Sequence, residues 1–96
     1  MVFGSMHNLK IVVANNNGGE QDIDTIVGTE KLLKITPDQD VHILLTPKSS
    51  TTVADADDYL LKANIEREFL VGRGLDRIAL WNISGNTANV YVAVMY

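Results

Sequence analysis

Asp76-Arg77-Ile78-Ala79-Leu80-Trp81-Asn82-Ile83, then Ser84-Gly85-Asn86-Thr87, then Ala88-Asn89-Val90-Tyr91-Val92-Ala93-Val94-Met95-Tyr96, is the stretch whose reading decides the fold. Two runs rich in β-branched and aromatic residues flank a short Ser/Gly/Asn turn. Strand-forming side chains on both sides of a chain reversal read as a β-hairpin. The chain is therefore read as all-β from its C-terminal end backwards.

Working outward, Asn8–Ala14 is a short apolar strand closed by Asn15-Asn16-Asn17-Gly18-Gly19, residues suited to positive φ and tight turning. Glu20–Gly28 is polar and reads as an irregular loop anchored by Ile23, Ile26 and Val27. Glu30–Ile35 is a second strand, stopped at Pro37 and Asp38-Gln39-Asp40. Val41–Leu45 is a third, stopped at Pro47. Two prolines bracketing one apolar run have hairpin-like spacing, and proline disfavours helix because it removes a backbone donor and extends its predecessor. Ala54–Val71 leaves two readings open. Ala56, Tyr59, Leu60, Ala63 and Arg67 fall at helical spacing, and Asp55, Asp57 and Asp58 would suit a helix N-terminus. Alternatively, Ala63-Asn64 turns between two strands. The fold class is a small antiparallel β-sandwich or barrel of six or seven short strands, with one short helical turn in 54–63 as the variant reading. Residues 1–96 form a single domain, with 1–7 as an N-terminal arm.

Composition narrows the function classes. The chain has 96 residues, 46% of them hydrophobic and only 21% charged, which is the balance of a folded domain. A chain this long buries roughly 60–68% of its unfolded surface, enough for one core without staples. No cysteine is present, so neither disulfides nor a Cys-based zinc site can form. The net charge of −4 argues against nucleic acid as partner, since phosphate backbones demand clustered Lys and Arg. No run approaches the ~20 apolar residues of a membrane span, and Met1–His7 has no basic segment leading into an apolar one.

No catalytic constellation emerges from the residue pattern. His7 and His42 are the only histidines and lack ligand partners at a recognisable spacing. His42, between Val41 and Ile43, points outward if those two point in. Asp55-Ala56-Asp57-Asp58 lacks the glycine and terminal Glu of a calcium loop and reads as a solvated loop. Glu66 and Glu68 share one strand face as a polar surface, with Arg67 projecting the other way. Ser49-Ser50-Thr51-Thr52 has no Gly-x-Ser-x-Gly elbow. Trp81, Tyr59, Tyr91 and Tyr96 read as strand aromatics packing in the core or between sheets; a stacking platform for sugar or single strands is the sharper alternative. No catalytic, cofactor or metal residues are assigned.

From Val41 to Tyr96 the chain resembles small virion structural proteins of tailed bacteriophages, above all head decoration (cement) proteins. The resemblance runs through Val41-His42-Ile43-Leu44-Leu45-Thr46, Asp58-Tyr59-Leu60-Leu61-Lys62-Ala63-Asn64, Phe69-Leu70-Val71, Asp76–Asn82, Ser84-Gly85 and Val90-Tyr91-Val92. It implies a non-enzymatic capsid decoration protein that binds and stabilises the head shell. The partners it implies are the major capsid protein or other virion subunits and further copies of the chain, with a homotrimer favoured. Neither cofactor nor membrane is involved, and the implied location is the virion, assembled in a host cytoplasm. Val2, Phe3, Met6, Met95 and Tyr96 are the candidate assembly interface, being apolar material at the two ends of the chain. A tail or head–tail connector component, or a carbohydrate- or receptor-binding β-sandwich, are the alternatives.

Overall fold

The computed structural model describes residues 6–23, 30–47, 49–72 and 74–95. Among these residues eight strands form, in chain order: β1 (Met6–Val13), β2 (Asn17–Asp22), β3 (Lys31–Pro37), β4 (Val41–Thr46), β5 (Tyr59–Leu61), β6 (Arg67–Val71), β7 (Arg77–Asn82) and β8 (Ala88–Met95). They make two four-stranded sheets, ordered β1-β8-β3-β6 (sheet A) and β2-β7-β4-β5 (sheet B). Every pairing is antiparallel. First strand beside last in one sheet, second beside second-last in the other, is the order of a jelly roll.

The all-β expectation holds, but its pairing is different. The C-terminal stretch is not a hairpin: β7 pairs with β2 and β4, whereas β8 pairs with β1 and β3 in the opposite sheet. A hairpin would use one edge of each strand, while the observed order uses both edges of each. The five residues 83–87 carry the chain across the roughly 10 Å between packed sheets. The two prolines bracket no hairpin either, because β3 lies in sheet A and β4 in sheet B. The helical turn in 54–63 does not form. A turn at Ala56-Asp57 leads into β5, and Asn64, with φ of 62°, makes the Ala63-Asn64 turn. Leu60 and Leu61 pair with His42 and Val41, and this ladder overrides the helical spacing. The eighth strand is β2, whose Asn-Gly-Gly-Glu-Gln-Asp sequence has the composition of a turn and loop. Nothing local makes it a strand; the ladder offered by β7 does.

The core lies between the sheets. Ile11, Val13, Leu33, Ile35, Val71, Val90, Val92 and Val94 from sheet A meet Val41, Ile43, Leu61, Ile78 and Leu80 from sheet B. Strand β8 buries Ala88, Val90, Val92 and Val94 and turns Asn89, Tyr91, Ala93 and Met95 outward, as its period-2 pattern requires.

Two carboxylates hold the β3–β4 crossing. Asp38 accepts hydrogen bonds from the Asn89 backbone N–H at 2.7 Å and the Asn89 Nδ2 at 2.8 Å. Asp40 accepts from the Ala63 N–H at 2.8 Å and from Lys62 Nζ at 3.2 Å. Those bonds hold both carboxyls below the ordinary value of 3.8: the Asn89 side chain contributes most at Asp38, the Ala63 N–H at Asp40. A depressed folded-state value makes their stabilisation complete above the unfolded pKa and progressively lost as pH falls through the folded one. Urea midpoints of the wild type should therefore fall below about pH 4. Asp38→Asn should start lower at neutral pH and lose less on acidification; equal pH slopes for the two proteins would contradict this account.

Candidate functional site

In a jelly roll, a ligand site can lie inside the barrel or on a sheet face. The inside of this barrel is filled by the apolar side chains of the core. Among the described residues no buried side-chain nitrogen or oxygen lacks a partner, so none is left aimed at a ligand. The buried polar groups bind one another. Lys31 Nζ lies 2.6 Å from Asp76 Oδ1. Arg77 donates to Thr46 Oγ1 at 3.0 Å and the Thr52 carbonyl at 2.7 Å, with Glu20 at 3.6 Å. Asn82 Nδ2 donates to the carbonyls of Val13 and Asn86.

The residues considered for chemistry do not converge. His42 lies on the outer face of sheet B, between buried Val41 and Ile43, and its Nδ1 donates to the Asp58 carbonyl at 2.9 Å. His7 is exposed on β1 in the other sheet. Asp55 and Asp58 cap each other's turn: the Asp55 N–H donates to Asp58 Oδ2, and the Asp57 N–H to Asp55 Oδ1, each at 2.8 Å. No group of three His, Cys, Asp or Glu able to hold a metal forms among the described residues. Glu66 and Glu68 are both exposed, Glu68 lying 3.8 Å from Lys34 Nζ.

The aromatics correct the sequence reading. Tyr59 and Tyr91 are 53% and 51% exposed instead of buried. Tyr59 sits beside Phe69 in a T-shaped contact with centroids 6.1 Å apart. Tyr91 stands on the outer face of sheet A, and Trp81, half-buried, on that of sheet B. Three rings in three places make no common platform. Tyr96 lies outside the described residues.

What the strand register does assemble is an apolar row. Met6 is opposite Met95 on β8, Met95 is opposite Leu32 on β3, and Leu32 is opposite Leu70 on β6. These four side chains cross the whole outer face of sheet A at one height. Met6 is 61% and Leu70 66% exposed. Of the expected interface, the structure thus brings Met6 and Met95 side by side, while Val2, Phe3 and Tyr96 lie outside the described residues. Met6 and His7, assigned to the arm by sequence, belong to β1. Leu32 and Leu70 were missed. Their signal was present: in Leu32-Leu33 and Phe69-Leu70-Val71 a strand cannot bury consecutive residues on one face, so one of each run must look outward.

Below this row stand Asn8, Ala93, Lys34 and Glu68, and below those Lys10, Tyr91 and Thr36. Continuing the β3–β6 register by one residue sets Glu66 opposite Thr36. Ala93 is small, and around it opens a shallow groove of about 490 Å³ bordered by Lys10, Lys34, Glu66 and Tyr91. Sheet B carries a second row, Gly18–Trp81–His42–Leu60, with Ala79 and Leu44 beneath it. A Cβ on Gly18 would lie 3.3 Å from the Leu80 carbonyl oxygen and 3.7 Å from Trp81 Cε3, so glycine leaves the space that the indole occupies.

No family model matches this sequence, and no curated protein does. Solved structures do match in shape. The chain is similar to the Cupin_2 domain of an XRE family transcriptional regulator from Enterobacter cloacae, with a TM-score of 0.61 at 12% identity, over 95% of this chain and 81% of that one. It is similar to a de novo designed double-stranded β-helix, with a TM-score of 0.60 at 13% identity, over 92% and 97%. It is also similar to a subunit of Bacillus endospore appendages, which form disulfide-linked pili, with a TM-score of 0.56 at 15% identity, over 100% and 93%. Identities this low establish the fold alone. The shared architecture is the double-stranded β-helix, or jelly roll, which the strand order also gives. The cupin fold includes enzymes, and a fold does not fix a function, so function has to be argued from the surface. Among the described residues no helix is long and apolar enough to cross a membrane.

Proposed function

We propose that this chain is a non-catalytic structural subunit of a large repetitive assembly, a capsid decoration protein of the kind its sequence resembles. One observation carries the reading: both outer faces of the sandwich present apolar side chains in register, on sheet A an unbroken row from Met6 to Leu70 and on sheet B Trp81 and Leu60 on either side of His42. A protein with one ligand needs one such surface. A subunit set among neighbours needs several modest ones, repeated many times. The barrel itself supplies rigidity, because its interior is given over to side-chain packing.

The cupin likeness is the reason to test the enzymatic alternative, and the filled barrel weighs against it. The pilus likeness shows that this architecture can serve as a building block. With no cysteine, this chain must hold its neighbours without disulfides, which puts the affinity on these apolar side chains.

The test is to locate the gene and, where it lies among tailed-phage head genes as the reading requires, to co-sediment the chain with purified heads of that phage. Binding should saturate at a fixed ratio to the major capsid protein, and decorated heads should resist heat or osmotic shock better than bare ones. Absence of the chain from such heads overturns the reading.

A further inference from the structure

We propose that the outer face of sheet A is a self-recognition surface, which takes a second copy of this chain across a two-fold axis running along the strands. This rests on reading that face as an assembly surface and adds its occupant. Across the face the strands run β1, β8, β3, β6. A two-fold axis in the interface, parallel to the strands, lays β1 over β6 of the second copy and β8 over its β3, and keeps every row at its own height.

Each row is then its own complement. The row Met6, Met95, Leu32, Leu70 meets the same four side chains in reverse order, apolar against apolar. In the next row Asn8 meets Glu68 of the second copy, and Ala93 meets its Lys34. The groove around Ala93 is where that lysine stem would lie, its ammonium free to reach the rim. In the third row Lys10 meets Glu66 of the second copy, and Tyr91 meets its Thr36. Cation faces anion, and large faces small.

The other in-plane two-fold, perpendicular to the strands, fails this test. It lays β3 over β3 and β6 over β6, so that Lys34 faces Lys34 and Glu68 faces Glu68, while Met6 and Leu70 meet Lys10 and Glu66. Like charges then oppose each other at the centre and apolar side chains meet charges at the ends. Both axes keep facing strands aligned, as packed sheets require, so the side-chain pattern alone selects between them.

Four strands by three rows span on the order of 400 Å² of sheet per copy. That is below the ~800 Å² per partner of a standard stable complex, so the dimer should dissociate on dilution. A two-fold face gives a dimer, where the phage resemblance implies a trimer.

The experiment is light scattering on a sizing column across a concentration series at low salt. The mass should rise from 10.5 kDa towards twice that value. Lys10→Glu or Glu66→Lys alone sets like charges together at two symmetric positions and should weaken the dimer at least tenfold. The double variant Lys10→Glu/Glu66→Lys restores complementarity and should return the dissociation constant to within about threefold of wild type. Both positions of change are exposed, and circular dichroism checks that the fold is retained. A monomer at every concentration, a trimer, or a double variant as weak as the sum of its singles overturns the inference. A monomer that still decorates heads overturns this inference alone, whereas a dimer absent from heads overturns the decoration reading alone.

Discussion

Replacing Asn82 with alanine is expected to cost the fold about 2–4 kcal/mol and to lower its melting temperature by roughly 10–25 °C. Asn82 is wholly buried at the end of β7, where the chain leaves sheet B for sheet A. Its Nδ2 donates to the Val13 carbonyl at 2.9 Å and to the Asn86 carbonyl at 2.7 Å, and its Oδ1 accepts from the Ser84 N–H at 3.0 Å. Its own carbonyl accepts the Asn16 N–H at 2.7 Å, and Asn15 Oδ1 accepts the Gly85 N–H at 2.9 Å. One side chain therefore ties the β7–β8 crossing to the end of β1, beside the β1–β2 turn. Alanine leaves the Val13 carbonyl and the Ser84 N–H without this partner, and burial makes such groups expensive. Asn82→Asp keeps the shape but cannot donate, and it sets a negative charge against two carbonyl oxygens; it should do at least as much damage at neutral pH. Thermal melts followed by circular dichroism decide the matter. A change below about 0.5 kcal/mol in both variants would remove Asn82 from this role.

The second large effect belongs to Lys31 and Asp76, and its signature is asymmetry. Lys31 opens β3 with its side chain only 1% exposed, while Asp76, just before β7, is 19% exposed. Their 2.6 Å contact links sheet A to the chain entering sheet B. Asp76→Ala strands an ammonium out of water and should destabilise by about 3–5 kcal/mol. Lys31→Met replaces the stem with an apolar chain of similar length and leaves the carboxylate the better hydrated partner, so about 1–3 kcal/mol is expected. The double variant should be more stable than Asp76→Ala alone, because the uncompensated charge is gone. Urea unfolding of the four proteins closes the cycle. Additive losses would mean that the two side chains do not act as a pair.

Asn82 and Lys31 show where sequence reading stops. A buried Asn inside an apolar strand and a Lys at the head of another look like ordinary polar punctuation. Their importance comes from partners 69 and 45 residues away in the chain. The candidate interface divides in the same way. Met6 and Met95 could be picked out as apolar material near the ends of the chain, and β1–β8 pairing does set them together. Leu32 and Leu70 complete the row only through the β3–β8 and β3–β6 registers, which no local pattern specifies. The charge pattern that selects one two-fold over another likewise exists only once four strands lie in order.

By itself the sequence determined that the chain is all-β and where its strongly apolar strands run. Those properties follow from side-chain shape and from a period of two, both local. Only the tertiary structure decided which strand lies beside which. Backbone hydrogen bonds are the same for every residue but proline, so a strand is indifferent to its neighbour until burial is counted over the whole molecule. Counted that way, β7 and β8 each gain two partners and one buried face by parting company, and even the Gly- and Asn-rich β2 becomes a strand because β7 has an edge to fill.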